Sequence, residues 1–237
     1  MSTDTSQRIL EAALACFVEM GYEQTTTARI REQSGVSNGA LFHHFPTKEA
    51  IADALYVEAM ASYQEGLWEL LRGRPRSARA AVRGTIAHQL QWTEANPDRA
   101  RFLYMRGHLD WDSPQGARLQ KLNRDLADAY RDWMAPLIES GRVRRMSMLM
   151  LTAVVTGPVH AISRRWLAGQ LQAPLASHLD ELADAAVGAV TGKQGSTRSQ
   201  ALPPAHSGRI TLQLRSDGGE VIAEGEAVAK LNPISAA

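Results

Sequence analysis

The sequence predicts an all-α protein: a small N-terminal helix-turn-helix domain, a larger helical domain, and a short C-terminal β-hairpin as an appendix. Three observations lead there. From residue 6 to residue 190, apolar side chains recur at the spacing of one buried helix face. Ser, Thr, Asn and Pro stand where successive helices must start, and Gly where they must stop. Strand-like alternation is confined to residues 209–231. The implied division is 1–48 for the helix-turn-helix domain, 49–192 for the larger domain, and 193–237 for a linker and tail.

The first helix covers residues 6–20, with Ile9, Ala13, Cys16, Phe17 and Met20 on one face, and Gly21 stops it. Thr25 or Thr26 caps a short second helix that carries Ala28 and Ile30 inward. Gly35 ends it, and Ser37 caps a third helix reaching about Phe45. Thr47 caps a long fourth helix, periodic from Ala50 and Ile51 to about Leu71. The Gly, Pro and Arg content of 72–79 reads as a loop. A fifth helix runs from about Ala78 to Ala95. Asn96-Pro97 and Ser113-Pro114 each place a cap before a first-turn proline, opening the sixth and seventh helices. Pro136 is expected to kink the seventh near its end, at about Ser140. The eighth and ninth are the most apolar. Residues 192–208 read as a linker, and 209–231 as two alternating runs around Asp217-Gly218-Gly219. An isolated hairpin is marginal alone, so it must dock or stay mobile.

The 237 residues bound one or two domains and suffice for a real core. The formal net charge is +1, so any nucleic-acid reading must rest on a local surface. The single cysteine, Cys16, excludes an intramolecular disulfide. Residues 1–7 are polar and the segment after them is amphipathic, unlike a signal peptide. The most apolar stretch, 146–162, is interrupted by Pro158 and His160 and is too short to cross a bilayer. The expected compartment is the cytoplasm, with no membrane partner.

The densest signal lies between Thr25 and Ile51: "TTTARIREQSGVSNGALFHHFPTKEAI". Two short helices joined by Ser34-Gly35-Val36-Ser37 make a helix-turn-helix pattern, although such a turn also joins ordinary helices. Gly35 supplies a left-handed turn and Val36 an apolar residue to tuck beneath it. Ser37 caps the second helix, whose N-terminal amides suit a phosphate. Gly39 lets that helix approach a groove closely, and Asn38, Ala40 and His43 project with it. Lys48 places a cation in the first turn of the next helix.

Gly21, Tyr22, Thr25, Thr26, Ile30, Ser34, Gly35, Val36, Ser37, Gly39, Leu41, Phe42, His44, Phe45, Thr47, Lys48 and Glu49 together resemble the N-terminal signature of the TetR family of transcriptional regulators. The resemblance spans about residues 6–55. It implies a three-helix DNA-binding domain, a homodimer formed mainly by the last two long helices, and a small-molecule pocket inside the larger domain. It places Thr26, Ser37, Gly39, His43, His44 and Lys48 on the DNA side and Phe45 in the core. Two positions depart from the pattern. Family members usually carry Tyr where this chain has Phe42, so one hydroxyl contact to phosphate is missing or replaced. Arg31 stands where the family usually has Ala; it is read as a solvated side chain of the supporting helix, with a phosphate contact as the other reading. Residues 1–50 hold four cations against six acids, a local charge of −2. Binding to random DNA is therefore expected to be weak, with specificity from amides, hydroxyls, base edges and dimer avidity.

In the larger domain, Trp92, Phe102, Tyr104, His108, Trp111, Tyr130 and Trp133 form a set of amphipathic rings, with His160 and Trp166 as further candidates and Met105 and Met134 as adaptable surface. Each ring alone reads more readily as plain core; as a set they fit a pocket for a hydrophobic or aromatic effector. Leu149, Ala153, Gly157 and Ala161 on the eighth helix, and Leu175, Leu179, Leu182 and Ala186 on the ninth, trace stripes for a homodimer interface or for packing within one chain. No cofactor or metal is expected. None of the seven histidines stands in a metal-ligand spacing, adjacent His43 and His44 diverge by about 100° on a helix, and no nucleophile elbow or phosphate loop is present. The tail faintly resembles the last strand pair of hotdog-fold acyl-thioester enzymes but is far too short for that domain. The expected function is a repressor released from a near-palindromic double-stranded operator by a small molecule. The competing readings are an activator or co-repressor-dependent regulator, and an acyl-binding or acyl-processing protein with a vestigial helix-turn-helix.

Overall fold

The computed structural model describes residues 2–105, 109, 111–191, 206–215 and 221–231. Nine α-helices occur among them: α1 Ser2–Met20, α2 Thr27–Ser34, α3 Asn38–His44, α4 Lys48–Arg72, α5 Ala78–Ala95, α6 Pro97–Met105, α7 Pro114–Glu139, α8 Met148–Leu167 and α9 Leu179–Thr191. A 3-10 turn, Leu175–His178, precedes α9, so the ninth predicted helix begins as a tighter coil. The chain divides into two compact units, residues 1–193 and 194–237.

The helix starts follow from hydroxyl caps. Thr26, Ser37, Thr47, Ser77, Ser113 and Ser147 each stand in extended backbone and accept from the amide three residues on. Between the two candidate caps of α2 the roles divide. Thr26 caps, while buried Thr25 donates its hydroxyl proton within reach of the Gly21 carbonyl (2.7 Å) and the Cys16 carbonyl (3.2 Å), tying the loop to α1. Asn96 is not an N-terminal side-chain cap. Its Nδ2 turns back and donates to the Trp92 carbonyl at 3.0 Å, closing α5. Helix α7 continues past Pro136 to Glu139.

Two principal cores result. The N-terminal one gathers Ile9, Ala13, Cys16 and Phe17 of α1, Ile30, Leu41, Phe45, and Ile51 and Leu55 of α4. Ala28, expected inward, is exposed; α2 is short and only its Ile30 and Ser34 are buried. The second core packs α5 against α8 and α9 through Val82, Ile86, Leu90, Val155, Val159, Leu175, Ala186 and Val190. In the separate C-terminal unit, β1 His206–Arg215 pairs antiparallel with β2 Val221–Leu231, with a register shift beside Leu214. The expected turn at 217–219 lies outside the described residues.

Candidate nucleic-acid interface and effector cavity

The turn between α2 and α3 is held from behind. Gly35 takes φ +64°, a left-handed conformation that only glycine adopts without cost. Its N–H donates to the Arg31 carbonyl at 3.0 Å, and Arg8 of α1 donates Nη2 to the Ser34 carbonyl at 2.7 Å. Leu41 and Phe45 anchor α3 in the core, while Val36 packs half-buried against it. That anchoring turns Asn38, Gly39, Phe42 and His43 to solvent, with Ala40 and His44 half-buried. Phe42 is 44% exposed, a large apolar ring with no hydroxyl, on the face where a nucleic acid would lie. A Cβ built on Gly39 meets nothing within 4 Å, so the chain's own packing does not require glycine there.

Lys48 is more than a surface cation. Its Nζ donates to the Tyr22 carbonyl at 2.9 Å and reaches the Glu23 carbonyl at 3.4 Å, with the ammonium 4.3 Å from the centre of the Tyr22 ring. The Tyr22 hydroxyl in turn donates to Glu49 Oε1 at 3.0 Å. Backbone hydrogen bonding at its own amide, and then the Tyr22 hydroxyl, hold the Glu49 carboxyl below its ordinary pKa. Lys48 thus clamps the loop after α1 to the start of α4. Arg29 is paired with Glu32, whereas Arg31 is exposed.

The larger domain holds a cavity of about 680 Å³ that is partly open to solvent. Of the sequence-predicted rings, Trp92, Tyr104, Tyr130, Trp133 and His160 line it. Phe102 does not. It stacks on Phe17, ring centres 5.5 Å apart, in the N-terminal core, because α6 runs alongside α1. Trp111 is 50% exposed and is not part of the lining. His108 lies outside the described residues. Reading the sequence helix by helix missed Tyr56, Met60, Tyr63 and Gln64 of α4 and Gln89 of α5, which also line the cavity. The available signal was polar: Gln64 and Gln89 fall at the helical spacing of buried positions, where an unpartnered amide is costly.

The cavity's polar groups form short relays. His160 Nδ1 lies 2.7 Å from the Tyr104 hydroxyl and 3.0 Å from Gln89 Nε2. An amide NH2 only donates, so Nδ1 is the acceptor and the ring proton sits on Nε2. Desolvation lowers the His160 pKa, in keeping with a neutral ring, and raises those of Tyr104 and Tyr130. Tyr130 and Thr85 share a hydrogen bond at 3.2 Å, and Gln64 Nε2 donates to Asn123 Oδ1 at 2.7 Å.

Of the stripes expected at a dimer interface, the α8 one faces outward. Leu149 is 78% and Met150 52% exposed, Ala153 and Ala161 are exposed, and Gly157 is half-buried. Residues Leu175 and Ala186 are instead buried in the chain's own core, and Leu179 and Leu182 pack half-buried against it, because α9 turns its apolar face to α5 and α8. Among the described residues no group of three or more His, Cys, Asp or Glu gathers as a metal site, and no helix is long and apolar enough to cross a membrane.

Residues 9–55 match the family model described as bacterial regulatory proteins, tetR family. Residues 9–55 thus carry a DNA-binding domain of the tetR type. The HTH-type transcriptional repressor AcnR of Corynebacterium glutamicum is 46% identical over 76 residues, 30% of this chain and 40% of AcnR. The repressor Rv1474c of Mycobacterium tuberculosis is 39% identical over 71 residues, 28% of this chain and 38% of that protein. The chain therefore aligns with well under two thirds of the curated relatives' length. At the level of fold, a TetR family regulator from Marinobacter aquaeolei superposes with TM-score 0.65 at 19% identity, over 78% of this chain and 95% of that one. FadR from Bacillus subtilis, solved in complex with stearoyl-CoA, gives 0.64 at 17% identity, over 76% and 97%.

Proposed function

We propose that the protein is a cytoplasmic one-component transcriptional repressor and not an enzyme. A homodimer holds a near-palindromic operator through residues 1–48 and is released when a small molecule fills the cavity of residues 49–192. The observation that carries this reading is that two helices belong to both regions. On α4, Ile51, Ala52 and Leu55 lie in the core behind the helix-turn-helix, and Tyr56, Met60, Tyr63 and Gln64 line the cavity. On α6, Phe102 is in that same core, and Ala100, Leu103 and Tyr104 line the cavity. A ligand that displaces either helix must move the seat of α3, because packed cores transmit shifts rather than absorb them.

The outward α8 stripe supplies the dimer surface, and two α3 helices then lie about 34–36 Å apart, or a multiple of it, to meet successive major grooves. A hundredfold loss of operator affinity requires the ligand to prefer the released form by about 2.7 kcal/mol, within the usual range of allosteric coupling. Footprinting on the DNA flanking the protein's own gene, at two salt concentrations, tests the reading. The expected result is a protected near-palindrome with modest salt dependence, since the domain carries few unpaired cations. Absence of protection at low salt overturns a ligand-released repressor.

A further inference from the structure

A line of polar contacts runs from the cavity wall to the turn that seats α3, apart from the shared apolar core; the step taken from it rests on the reading that the cavity controls DNA binding. It starts on α6 at Arg99, the neighbour of cavity-lining Ala100. Arg99 donates Nη2 to Oε1 of Glu58 on α4 at 3.5 Å. Gln7 of α1 donates Nε2 to the same oxygen at 3.2 Å. Arg8, the next residue on α1, donates Nη2 to the Ser34 carbonyl at 2.7 Å, and Ser34 ends α2 just before the Gly35 turn. One carboxylate oxygen therefore joins α1, α4 and α6, and α1 carries the connection to the helix-turn-helix.

The place of Glu58 along α4 gives the tie its reach. Leu55, three residues before it, lies in the core behind the helix-turn-helix, and Tyr56 and Met60 on either side line the cavity. Glu58 and Arg99 are half-buried, where salt screens a charged pair less than at the surface. Among the described residues Glu58 is the one acceptor that Arg99 meets, and the Arg99 Nε is buried with no partner. Both contacts to Glu58 stand at the long end of hydrogen-bond lengths. An ångström-scale displacement of α4 or α6 one way breaks them, and the other way tightens them.

We infer that Glu58 is a positioning residue for release. It passes a shift of α4 and α6 around a filled cavity to α1, and through Arg8 to the turn that holds α3. A line of contacts couples two sites only if both bias it, and the effect of Glu58 on the coupling factor measures that directly.

N-phenyl-1-naphthylamine is titrated into the full chain with and without the footprinted operator fragment. The proteins are the wild type, Glu58→Ala, Glu58→Gln and, as a control, Glu65→Ala, whose carboxylate pairs on the surface with Arg72 of the same helix. Circular dichroism melts establish that each variant is folded. Operator is expected to weaken probe binding at least fivefold in the wild type. Glu58→Ala should bring that factor below twofold, with its affinities for operator alone and probe alone within threefold of wild type. Glu58→Gln keeps an acceptor oxygen and should recover at least threefold, and Glu65→Ala should match the wild type. An undiminished factor in folded Glu58→Ala, no recovery in Glu58→Gln, or an equal fall in Glu65→Ala overturns the role of Glu58 and leaves the repressor reading standing. Should Glu58→Ala not fold, Gln7→Ala removes the donor on α1 and must bring the factor below twofold. Independent binding of probe and operator to the wild type overturns the repressor reading and this line with it.

Discussion

Thr26, Ser37 and Thr47 in the N-terminal domain each give their hydroxyl oxygen to a backbone amide three residues on, whereas Gln64 and Gln89 in the cavity wall each keep an amide oxygen unpaired. The difference separates two kinds of polar residue. In the first region polar side chains complete the chain's own geometry and aim a helix outward, so its chemistry is local. In the second they are carried inward by tertiary packing and left incomplete. Helices α4 and α6 join the regions, so the comparison is best broken where they meet.

The largest effect is expected from Phe102→Ala. Phe102 is 1% exposed and stacks on Phe17, so its loss should cost about 3–5 kcal/mol of stability, read by urea denaturation. A loss below about 1 kcal/mol would mean that α6 is not seated in the N-terminal core. Next, Gly39→Leu should weaken operator binding a hundredfold or more with no loss of thermal stability, because a side chain there meets open space within the chain and glycine is the poorer helix former. Retained footprinting would show that α3 does not approach the groove.

A smaller effect follows from Lys48→Ala. Two carbonyls lose their donor, so stability should fall by about 1 kcal/mol, and any further loss of DNA affinity should be alike for all sequences, with the salt slope reduced by about 1. A loss of binding confined to one operator sequence would place Lys48 at a base edge instead. The smallest effect concerns pH. His160 is exposed on one side, but desolvation where it faces the cavity lowers its pKa from the ordinary 6.5, so in acid the unfolded chain takes up a proton that the folded chain resists. This group's contribution to stability should therefore be lost as pH falls below about 6.5, and His160→Gln should flatten that part of the profile relative to wild type. Parallel profiles would mean that the ring is not desolvated.

What the sequence made legible divides along the same line. Caps, the Gly35 turn and the burial of Leu41 and Phe45 depend on neighbours within a few residues, and spacing alone reveals them. The rings of the larger domain do not. Phe102 and Tyr104 are two residues apart on one helix, yet one packs against Phe17 and the other meets His160. Nothing in the spacing says which helix α6 will lie beside. The same holds for α9, whose Ala186 faces inward although its apolar stripe reads like the exposed one on α8.

The most direct test is whether the cavity and the reading head share one equilibrium. N-phenyl-1-naphthylamine, an uncharged aromatic probe with one N–H, would be titrated into the protein with and without its footprinted operator fragment. By reciprocity, the factor by which DNA weakens probe binding must equal the factor by which the probe weakens DNA binding. The expected result is a matched weakening of at least fivefold in both directions. Probe and operator bound together, each at undiminished affinity, would contradict the coupling through α4 and α6 and leave the cavity without control over the DNA.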